Sequence, residues 1–285
     1  MNTKQREKIA LITGANAGIG LELTRKLLSE GWQVAALIRS GFPAGDALIG
    51  QAANGGQLRI YQAADLSDFD SLKRTLDEII TGEAYIDVLF NNAGGSFPEL
   101  LFSRQGRELH YELMTVVPYI ILMELQELLK NGRHKTVINT SSAVTNMVKP
   151  FDPDSLDRPK TFRKLLGPYG ASKLALSLWT QAVSPELAKE GIKIRSVDPG
   201  SNNTARKSKK SGLPWYVKPL MKLFFQPPAY GAGRLYDGAF GPHRDLAGVY
   251  LEKGRVKELN YTEFAQQVLN KVKTVYEREY LENHT

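Results

Sequence analysis

The sequence contains no cysteine, and this absence excludes several classes of function. Without thiols the chain forms no disulfides and offers no thiolate ligands to zinc or to an iron–sulfur cluster. The histidines do not show the spacing of a metal site either. We therefore expect neither a structural nor a catalytic metal. The four histidines are His110, His134, His243 and His284.

Long apolar runs are also absent. No stretch of about 18 consecutive apolar residues could span a bilayer, and the polar start MNTKQREK is unlike a signal peptide. The net charge of +7 comes from basic residues spread along the chain, without a nucleic-acid-binding motif. We expect a soluble, cytoplasmic protein that binds no nucleic acid.

A glycine-rich turn, TGANAGIG at residues 13–20, separates an apolar run from a helical pattern. Its glycines have no β-carbon to keep a diphosphate away from the backbone, and the free N–H groups of the helix start would face the negative charge. Three residues separate the first two glycines and one separates the last two, which differs from the commonest fingerprint. An ordinary tight turn would be the alternative, but with its flanking strand and helix the segment predicts a dinucleotide cradle. The residues of this cradle are Gly14, Asn16, Gly18, Ile19 and Gly20.

Strand-like apolar runs alternate with helical patterns along the whole chain. This order predicts an α/β fold in one domain, with a single doubly wound parallel sheet of about seven strands and helices on both faces. Ser67 is expected to cap a helix over residues 68–80, and Asn260 or Thr262 a closing helix over residues 261–282. An apolar helix over residues 104–130 should kink at Pro118, and another helix is expected from Pro168 to Lys189.

The second predicted strand ends at Arg39. In dinucleotide-binding folds an acidic residue here would hold the adenosine ribose, and none is present. A guanidinium suits a 2′-phosphate, so Arg39 favours NADP(H), with NAD(H) as the other possibility. The alternative is a solvated loop arginine.

Two further strands end in small or polar residues, at the sheet edge where open α/β folds bind ligands. Small residues there allow the backbone to close over a flat cofactor, although a simple turn would have a similar sequence. The predicted cofactor contacts here are Asp65 and Leu66 after the third strand, and Asn92, Ala93 and Gly94 after the fourth.

Two segments stand apart from the alternating pattern. Residues 144–166, rich in proline and charge, indicate an insertion. Residues 201–228 are first basic and then apolar, which favours a substrate lid. Alternatively, half of the apolar residues pack against the sheet, or the segment rests weakly on an anionic membrane surface. The predicted lid residues are Trp215, Tyr216, Leu220, Met221 and Phe224.

Taken in order, TGANAGIG, Asp65-Leu66, NNAG, Ser142, YGASK and Pro199-Gly200 resemble the short-chain dehydrogenase/reductase family over nearly the whole chain. The glycine turn, Arg39 and the gap between Ser142 and Tyr169 (169 − 142 = 27) are most similar to its retinol-dehydrogenase-like and carbonyl-reductase-like members, which use NADP(H). The resemblance implies cofactor contacts by Pro199 and Gly200. Thr204 follows at the spacing of the family threonine that meets the nicotinamide carboxamide.

The chemistry of the implied catalytic residues, Ser142, Tyr169 and Lys173, is consistent with hydride transfer to a carbonyl, which needs proton transfer at the oxygen. A phenol with a pKa of about 10 is a poor base at neutral pH. Lys173, on the same helix face, would lower that pKa and, as in the family, reach the nicotinamide ribose. Ser142 would hydrogen-bond the substrate oxygen, with Ser141 as the competing candidate. An isolated YxxxK would more often be a tyrosine near a surface lysine.

One position departs from the family pattern. The family asparagine that holds a proton-relay water is replaced by Met114, whose thioether accepts only weakly. A shift of one residue in the match would put Thr115 there instead.

The leading hypothesis is an NADP(H)-dependent oxidoreductase that interconverts a small apolar alcohol and its carbonyl compound. The alternative is a cofactor-binding sensor or interaction protein with impaired catalysis. The oligomeric state is left open between a homodimer and a monomer.

Overall fold

The computed structural model describes residues 6–202 and 225–284. Eight strands form one sheet in the order β3-β2-β1-β4-β5-β6-β7-β8. All neighbouring strands are parallel except β7 and β8. The order reverses between β1 and β4, which is where open α/β sheets have a ligand-binding crevice. The strands are β1 (Ile9–Thr13), β2 (Gln33–Ile38), β3 (Leu58–Gln62), β4 (Val88–Asn91), β5 (Thr136–Thr140), β6 (Lys193–Val197), β7 (Tyr250–Glu252) and β8 (Arg255–Lys257).

Helices connect the parallel strands and cover the sheet. The α-helices are α1 (Gly18–Ser29), α2 (Ala47–Asn54), α3 (Phe69–Gly82), α4 (Leu109–Tyr111), α5 (Val117–Glu124), α6 (Gln126–Lys130), α7 (Pro168–Lys189), α8 (Pro228–Phe240) and α9 (Ala265–Val275). Short 3₁₀ turns occupy Ala143–Met147, Pro153–Ser155 and Thr262–Phe264, and π-helical turns occupy Glu112–Val116 and Tyr276–Leu281. No helix in the described ranges is both long and apolar enough to cross a membrane.

Two hydrophobic cores lie on opposite faces of the sheet. Leu11 of β1 faces one core, and its neighbours Ala10 and Ile12 face the other. Successive strand residues point to opposite faces, so a strand covered by helices on both sides is apolar at every position. This accounts for the five consecutive buried residues of β1.

The predicted doubly wound parallel sheet is confirmed, with eight strands rather than about seven. The sequence analysis missed β8. Its three residues are all exposed, and one valine between two charged residues is too short a pattern to indicate a strand. Helix α7 has the bounds that were predicted for it.

Both predicted helix caps were wrong. Asp68, not Ser67, caps α3, and its carboxylate accepts hydrogen bonds from the backbone amides of Asp70 and Ser71. Ser67 lies one residue too early, and its hydroxyl donates to Asp65. The closing helical segment begins at Thr262, after Tyr261 in a left-handed conformation, and has no side-chain cap from Asn260 or Thr262.

The long apolar helix differs from its prediction at two places. It begins at Leu109, because residues 103–106 form a hydrogen-bonded turn. Its irregularity is the π-helical turn Glu112–Val116, which precedes Pro118. Pro118 then lies in the first turn of α5, a position that proline tolerates. Such π turns inside helices are frequent at functional sites.

Candidate active site

The glycine turn after β1 folds back tightly onto itself. Gly14 and Gly18 have positive φ angles of 68° and 52°, in the left-handed region that favours glycine. A β-carbon at Gly20 would overlap the Gly14 carbonyl oxygen. Ala17 precedes α1 and gives it no side-chain cap, so the first amides of the helix face outward for a ligand. The turn therefore fits the diphosphate of a dinucleotide.

Asn16 connects this turn to the loop after β2. Its side-chain amide donates to the Ser40 carbonyl, to the Ser40 hydroxyl at 3.2 Å and to the Gly41 carbonyl at 3.1 Å. Ile19, half-buried, packs against the core on the α1 face of the sheet. Asn16 thus holds the cradle and the neighbouring loop together, while Ile19 fixes the start of α1 against the core.

Arg39 lies at the end of β2 beside this loop. Its side chain is exposed, and within the described residues its guanidinium has no hydrogen bond or ion pair. Only its backbone carbonyl is engaged, by the Gln62 side-chain amide at 3.2 Å. The charge is therefore available to an anionic ligand at the mouth of the crevice.

Asp65 and Leu66 follow β3 and differ in environment. Leu66 is buried, whereas Asp65 is exposed. The Asp65 Oδ1 atom accepts from the Ser67 amide at 2.9 Å and from the Ser67 hydroxyl at 2.8 Å. The loop thus fixes the carboxylate while leaving it in contact with solvent.

The segment Asn92-Ala93-Gly94 is fastened directly to the glycine turn. Thr13 Oγ1 accepts from the Asn92 amide at 2.9 Å and the Ala93 amide at 2.8 Å. The Asn92 side chain donates back to the Thr13 carbonyl at 3.0 Å. Sequence reasoning missed Thr13, although a hydroxyl directly before the first glycine was a visible signal. These bonds hold the two sides of the crevice in one geometry.

Ser142 and Tyr169 meet beyond the carboxyl end of β5. Ser142 opens the 3₁₀ turn Ala143–Met147, and its hydrogen bond with Tyr169 lowers the pKa of that phenol. Ser141 instead faces the core, where its hydroxyl bonds that of Ser177 at 2.7 Å. Of the two candidate serines, Ser142 is the one beside Tyr169.

Lys173 lies one turn along α7 and is buried. Its Nζ donates to the Thr140 carbonyl at 2.6 Å. Burial lowers the pKa of Lys173 to about 7. Its charge is therefore only partly present at neutral pH.

The pKa of Tyr169 lies above its ordinary value, mainly because of burial. The Ser142 hydrogen bond lowers that pKa and the negative charge of Asp198 raises it. The lowering that we expected from Lys173 does not dominate in this structure. Because burial lowers its own pKa and its Nζ is bonded to Thr140, the lysine offsets little of the desolvation of the phenolate.

Met114 and Thr115 occupy different surroundings in the π-helical turn. The Thr115 hydroxyl donates to the Ser172 carbonyl at 2.8 Å and so faces α7. A β-carbon built at Gly94 would lie 2.8 Å from Met114 Sδ and 3.9 Å from Lys173 Nζ. The Gly94 loop therefore lies beside both Met114 and Lys173.

A fully buried pair, Glu108 and His110, adjoins Tyr169 and was missed by sequence reasoning. The Phe97 amide donates to His110 Nε2 at 2.9 Å, so His110 Nδ1 carries a proton and donates to Glu108 Oε1 at 2.6 Å. The imidazole packs edge-on against the Tyr169 ring, with centroids 5.9 Å apart. A lone histidine beside a glutamate carries no sequence signal for this arrangement.

The turn after β6 joins the site at the start of the predicted lid. Asn202 donates to the carbonyls of Pro199 and Gly200 at 2.8 Å and accepts from the Gly231 amide at 2.9 Å. The Gln226 amide donates to the Ser201 carbonyl at 2.9 Å, so the two ends of the lid segment lie together. The predicted contacts Thr204, Trp215, Tyr216, Leu220, Met221 and Phe224 lie outside the described residues.

Comparison with known proteins agrees with this geometry. Residues 8–153 match the family model described as short chain dehydrogenase, and the chain belongs to that family. It is an oxidoreductase that acts on CH–OH groups with NAD(P).

Three relatives illustrate the range of the family. Human retinol dehydrogenase 11 is 28% identical over 79% of this chain and 70% of its own length. Sorbitol-6-phosphate 2-dehydrogenase of Klebsiella pneumoniae is 30% identical, over 70% and 72% respectively. Polyprenol dehydrogenase of Danio rerio is 27% identical, over 94% and 85%.

Proposed function

We propose that the protein uses NADP(H) to interconvert an apolar alcohol and its carbonyl compound, with Tyr169 as the acid/base. The observation that carries the proposal is the placement of Ser142, Tyr169 and Lys173 together at the carboxyl edge of the sheet. When bound, the nicotinamide would supply or accept the hydride. The glycine turn and the Asn92–Gly94 segment would hold the cofactor.

The three side chains divide the remaining work. Tyr169 gives its phenolic proton to the carbonyl oxygen in the reductive direction, and Ser142 hydrogen-bonds the same oxygen and orients it. Lys173, anchored on Thr140, places its amino group one helical turn from the phenol. The raised pKa of Tyr169 keeps the phenol protonated at neutral pH, so it can donate a proton to the carbonyl oxygen in the reductive direction.

The preference for NADP(H) rests on Arg39. Its exposed guanidinium follows β2 and has no partner among residues 6–202 and 225–284, and the next residues, Ser40 and Gly41, carry no acidic group. A 2′-phosphate would form charge-assisted bonds with it, whereas a carboxylate at this place would suit the ribose hydroxyls of NAD(H).

An apolar substrate is supported by two observations. Two of the three relatives are dehydrogenases of apolar alcohols by name, retinol and polyprenol. The Phe97 ring centroid lies 4.7 Å from that of the His110 ring, which in turn packs against Tyr169, and Met147 in the turn that follows Ser142 is exposed.

A cofactor-binding sensor with weak catalysis is the second candidate. It is favoured by Met114, which lies beside Gly94 and stands where the family pattern has an asparagine. Ser142, Tyr169 and Lys173 are all present, and this favours the enzyme.

Replacement of Tyr169 by Phe tests the proposal. Tyr169→Phe keeps the ring that packs on His110 but removes the proton donor, so we expect turnover of a carbonyl panel to fall by about a hundredfold or more. NADPH affinity should stay nearly unchanged, because the hydroxyl acts on the substrate. Absorbance at the nicotinamide band measures turnover, and cofactor titration measures affinity.

Lys173→Ala is the comparison variant, because the lysine is expected to contact both the phenol and the cofactor ribose. We expect it to lower both turnover and NADPH affinity. Equal turnover in the wild type and Tyr169→Phe would remove the acid/base assignment. Tight NADPH binding by all variants with no turnover of any carbonyl would establish the sensor.

A further inference from the structure

Asp198, the residue directly after β6, is buried, with 4% of its surface exposed. A single carboxylate oxygen, Oδ1, accepts two backbone hydrogen bonds, from Ala143 and from Gly200, each at 3.1 Å. Its own amide donates to the Leu251 carbonyl at 2.8 Å, which fixes the residue at the end of the strand. Asp198 therefore joins the turn after β5 to the turn after β6.

Both turns carry parts of the active site. Ala143 directly follows Ser142, whose hydroxyl accepts from the Val144 amide at 3.3 Å and bonds Tyr169. Gly200, at a φ of 79°, turns the chain toward Asn202 and the predicted lid. Movement at Ala143 would change the direction of the Ser142 hydroxyl, and movement at Gly200 would shift the lid connection.

We propose that Asp198 is a positioning residue that holds the Ser142 turn against the Pro199–Gly200 turn and so orients Ser142 toward Tyr169. The proposal rests on the proposed roles of Ser142 and Tyr169. Asp198 acts through these residues, since its contacts are with backbone amides.

The charge of Asp198 has a second consequence. Burial raises the pKa of Asp198, the two backbone hydrogen bonds lower it, and its neighbours Glu252 and Lys253 act in opposite directions. Glu252 is held by the Asn146 side chain at 2.7 Å. The negative charge of Asp198 raises the pKa of Tyr169, so removal of that charge should move the pH profile of the enzyme as well as its geometry.

Two substitutions separate geometry from charge. The amide oxygen of Asp198→Asn can accept both backbone bonds but carries no charge. We expect its kcat to stay within a few-fold of the wild type, while the pH at which carbonyl reduction declines moves to lower values. Asp198→Ala leaves two amides without an acceptor, and we expect kcat to fall by about ten- to a hundredfold, with a smaller change in the carbonyl KM.

Amide hydrogen exchange supplies a readout that does not depend on turnover. Exchange at Ala143 and Gly200 should accelerate in Asp198→Ala and remain slow in Asp198→Asn. Glu252→Gln is the matched control, because this neighbouring carboxylate bonds Asn146 rather than either amide. It should leave kcat and both exchange rates near their wild-type values.

The outcomes are distinguishable. Unchanged amide exchange and unchanged kcat in Asp198→Ala would overturn the proposal. It would also be overturned if Asp198→Asn and Asp198→Ala lost kcat equally while amide exchange stayed the same in both. If Asp198→Ala does not fold, Asp198→Ser takes its place, because its shorter side chain cannot hold both amides, and unchanged exchange and kcat in folded Asp198→Ser would overturn the proposal. Absence of turnover in the wild type would refute the proposed function, while the exchange data would still decide whether Asp198 holds the two turns.

Discussion

Arg39 is the single residue on which the proposed cofactor preference depends. A charge-assisted contact with the 2′-phosphate is worth on the order of 1.5–3 kcal/mol, or roughly ten- to a hundredfold in affinity. Arg39→Asp should therefore erase or invert the preference for NADPH over NADH. Titration of both cofactors into both proteins measures it.

The control for Arg39→Asp is Arg74→Asp, which changes the net charge equally at another exposed arginine. It should leave the preference unchanged, since Arg74 bonds only the Asp70 carbonyl of its own helix. Equal affinity of the wild type for the two cofactors would contradict the role of Arg39.

Met114 tests whether a proton-relay site can be restored. We expect Met114→Asn to keep or raise turnover, because the amide can hold a water beside Lys173 that a thioether binds poorly. Met114→Leu, which is apolar and of similar size, should bring no gain. Steady-state rates and circular dichroism of the three proteins provide the comparison.

Met114 is buried, with 1% of its surface exposed, so its replacement by a polar residue could instead disturb the packing around it. A large loss of activity in folded Met114→Asn would mean that the methionine is needed for packing or for the substrate pocket. The relay hypothesis for this position would then be wrong.

Residue types at fixed spacing were the most predictable part of the site. Tyr169 and Lys173 are four residues apart on one helix, and this spacing places them on one face whatever the packing. Asp198 and His110 make contacts with residues elsewhere in the sequence, Ala143 and Phe97. No local pattern records those contacts, so they required the structure.

Helices and strands with strong apolar periodicity were predicted well. Features that depend on one or two hydrogen bonds, such as helix caps and the π-helical turn, were not. Helix α7 and the buried parallel strands follow from apolar patterns. The cap of α3 was misassigned by one residue, since Ser67 and Asp68 are both good caps and only the loop geometry decides between them. The π-helical turn at Glu112–Val116 has no recognised sequence signal and depends on packing against α7.

The position of the loop between β4 and α4 should depend on His110. Its Nε2 accepts a hydrogen bond from the Phe97 amide, and its ring packs against Tyr169. His110→Leu leaves that amide and the Glu108 carboxylate buried without their partner, and we expect kcat/KM to fall about tenfold or more. His110→Gln, whose side chain has both an acceptor and a donor, should retain most of the activity. Steady-state kinetics and thermal denaturation separate catalysis from stability.

A different result would assign His110 another role. Equal losses in His110→Leu and His110→Gln would show that the imidazole itself, rather than its hydrogen bonds, is required. Wild-type kinetics in His110→Leu would show that the loop keeps its position without this contact.

At the scale of the molecule, the C-terminal segment closes the outer face of the helices that carry the site. Val268 and Val272 of α9 are buried in the core that α7 shares. Tyr276 donates to Glu124 at 2.8 Å, and Arg107 bonds both Glu112 and Glu279. The C-terminal segment thus contacts α5, the π-helical turn and α7. These contacts stabilise the position of α7, which carries Tyr169 and Lys173.

The proposed lid, residues 201–228, makes a prediction about the whole molecule. If its apolar residues wall the substrate site, kcat/KM should rise with substrate length, by about 0.8 kcal/mol for each buried methylene. A series of aldehydes from about two to about ten carbons measures this, and small polar aldehydes should be poor substrates. Trp215→Ala combined with Phe224→Ala should flatten the series while leaving turnover of the shortest aldehyde unchanged. A flat or falling series in the wild type would show that the lid's apolar residues do not line the site, and co-sedimentation with anionic vesicles would then test whether they contact a membrane surface instead.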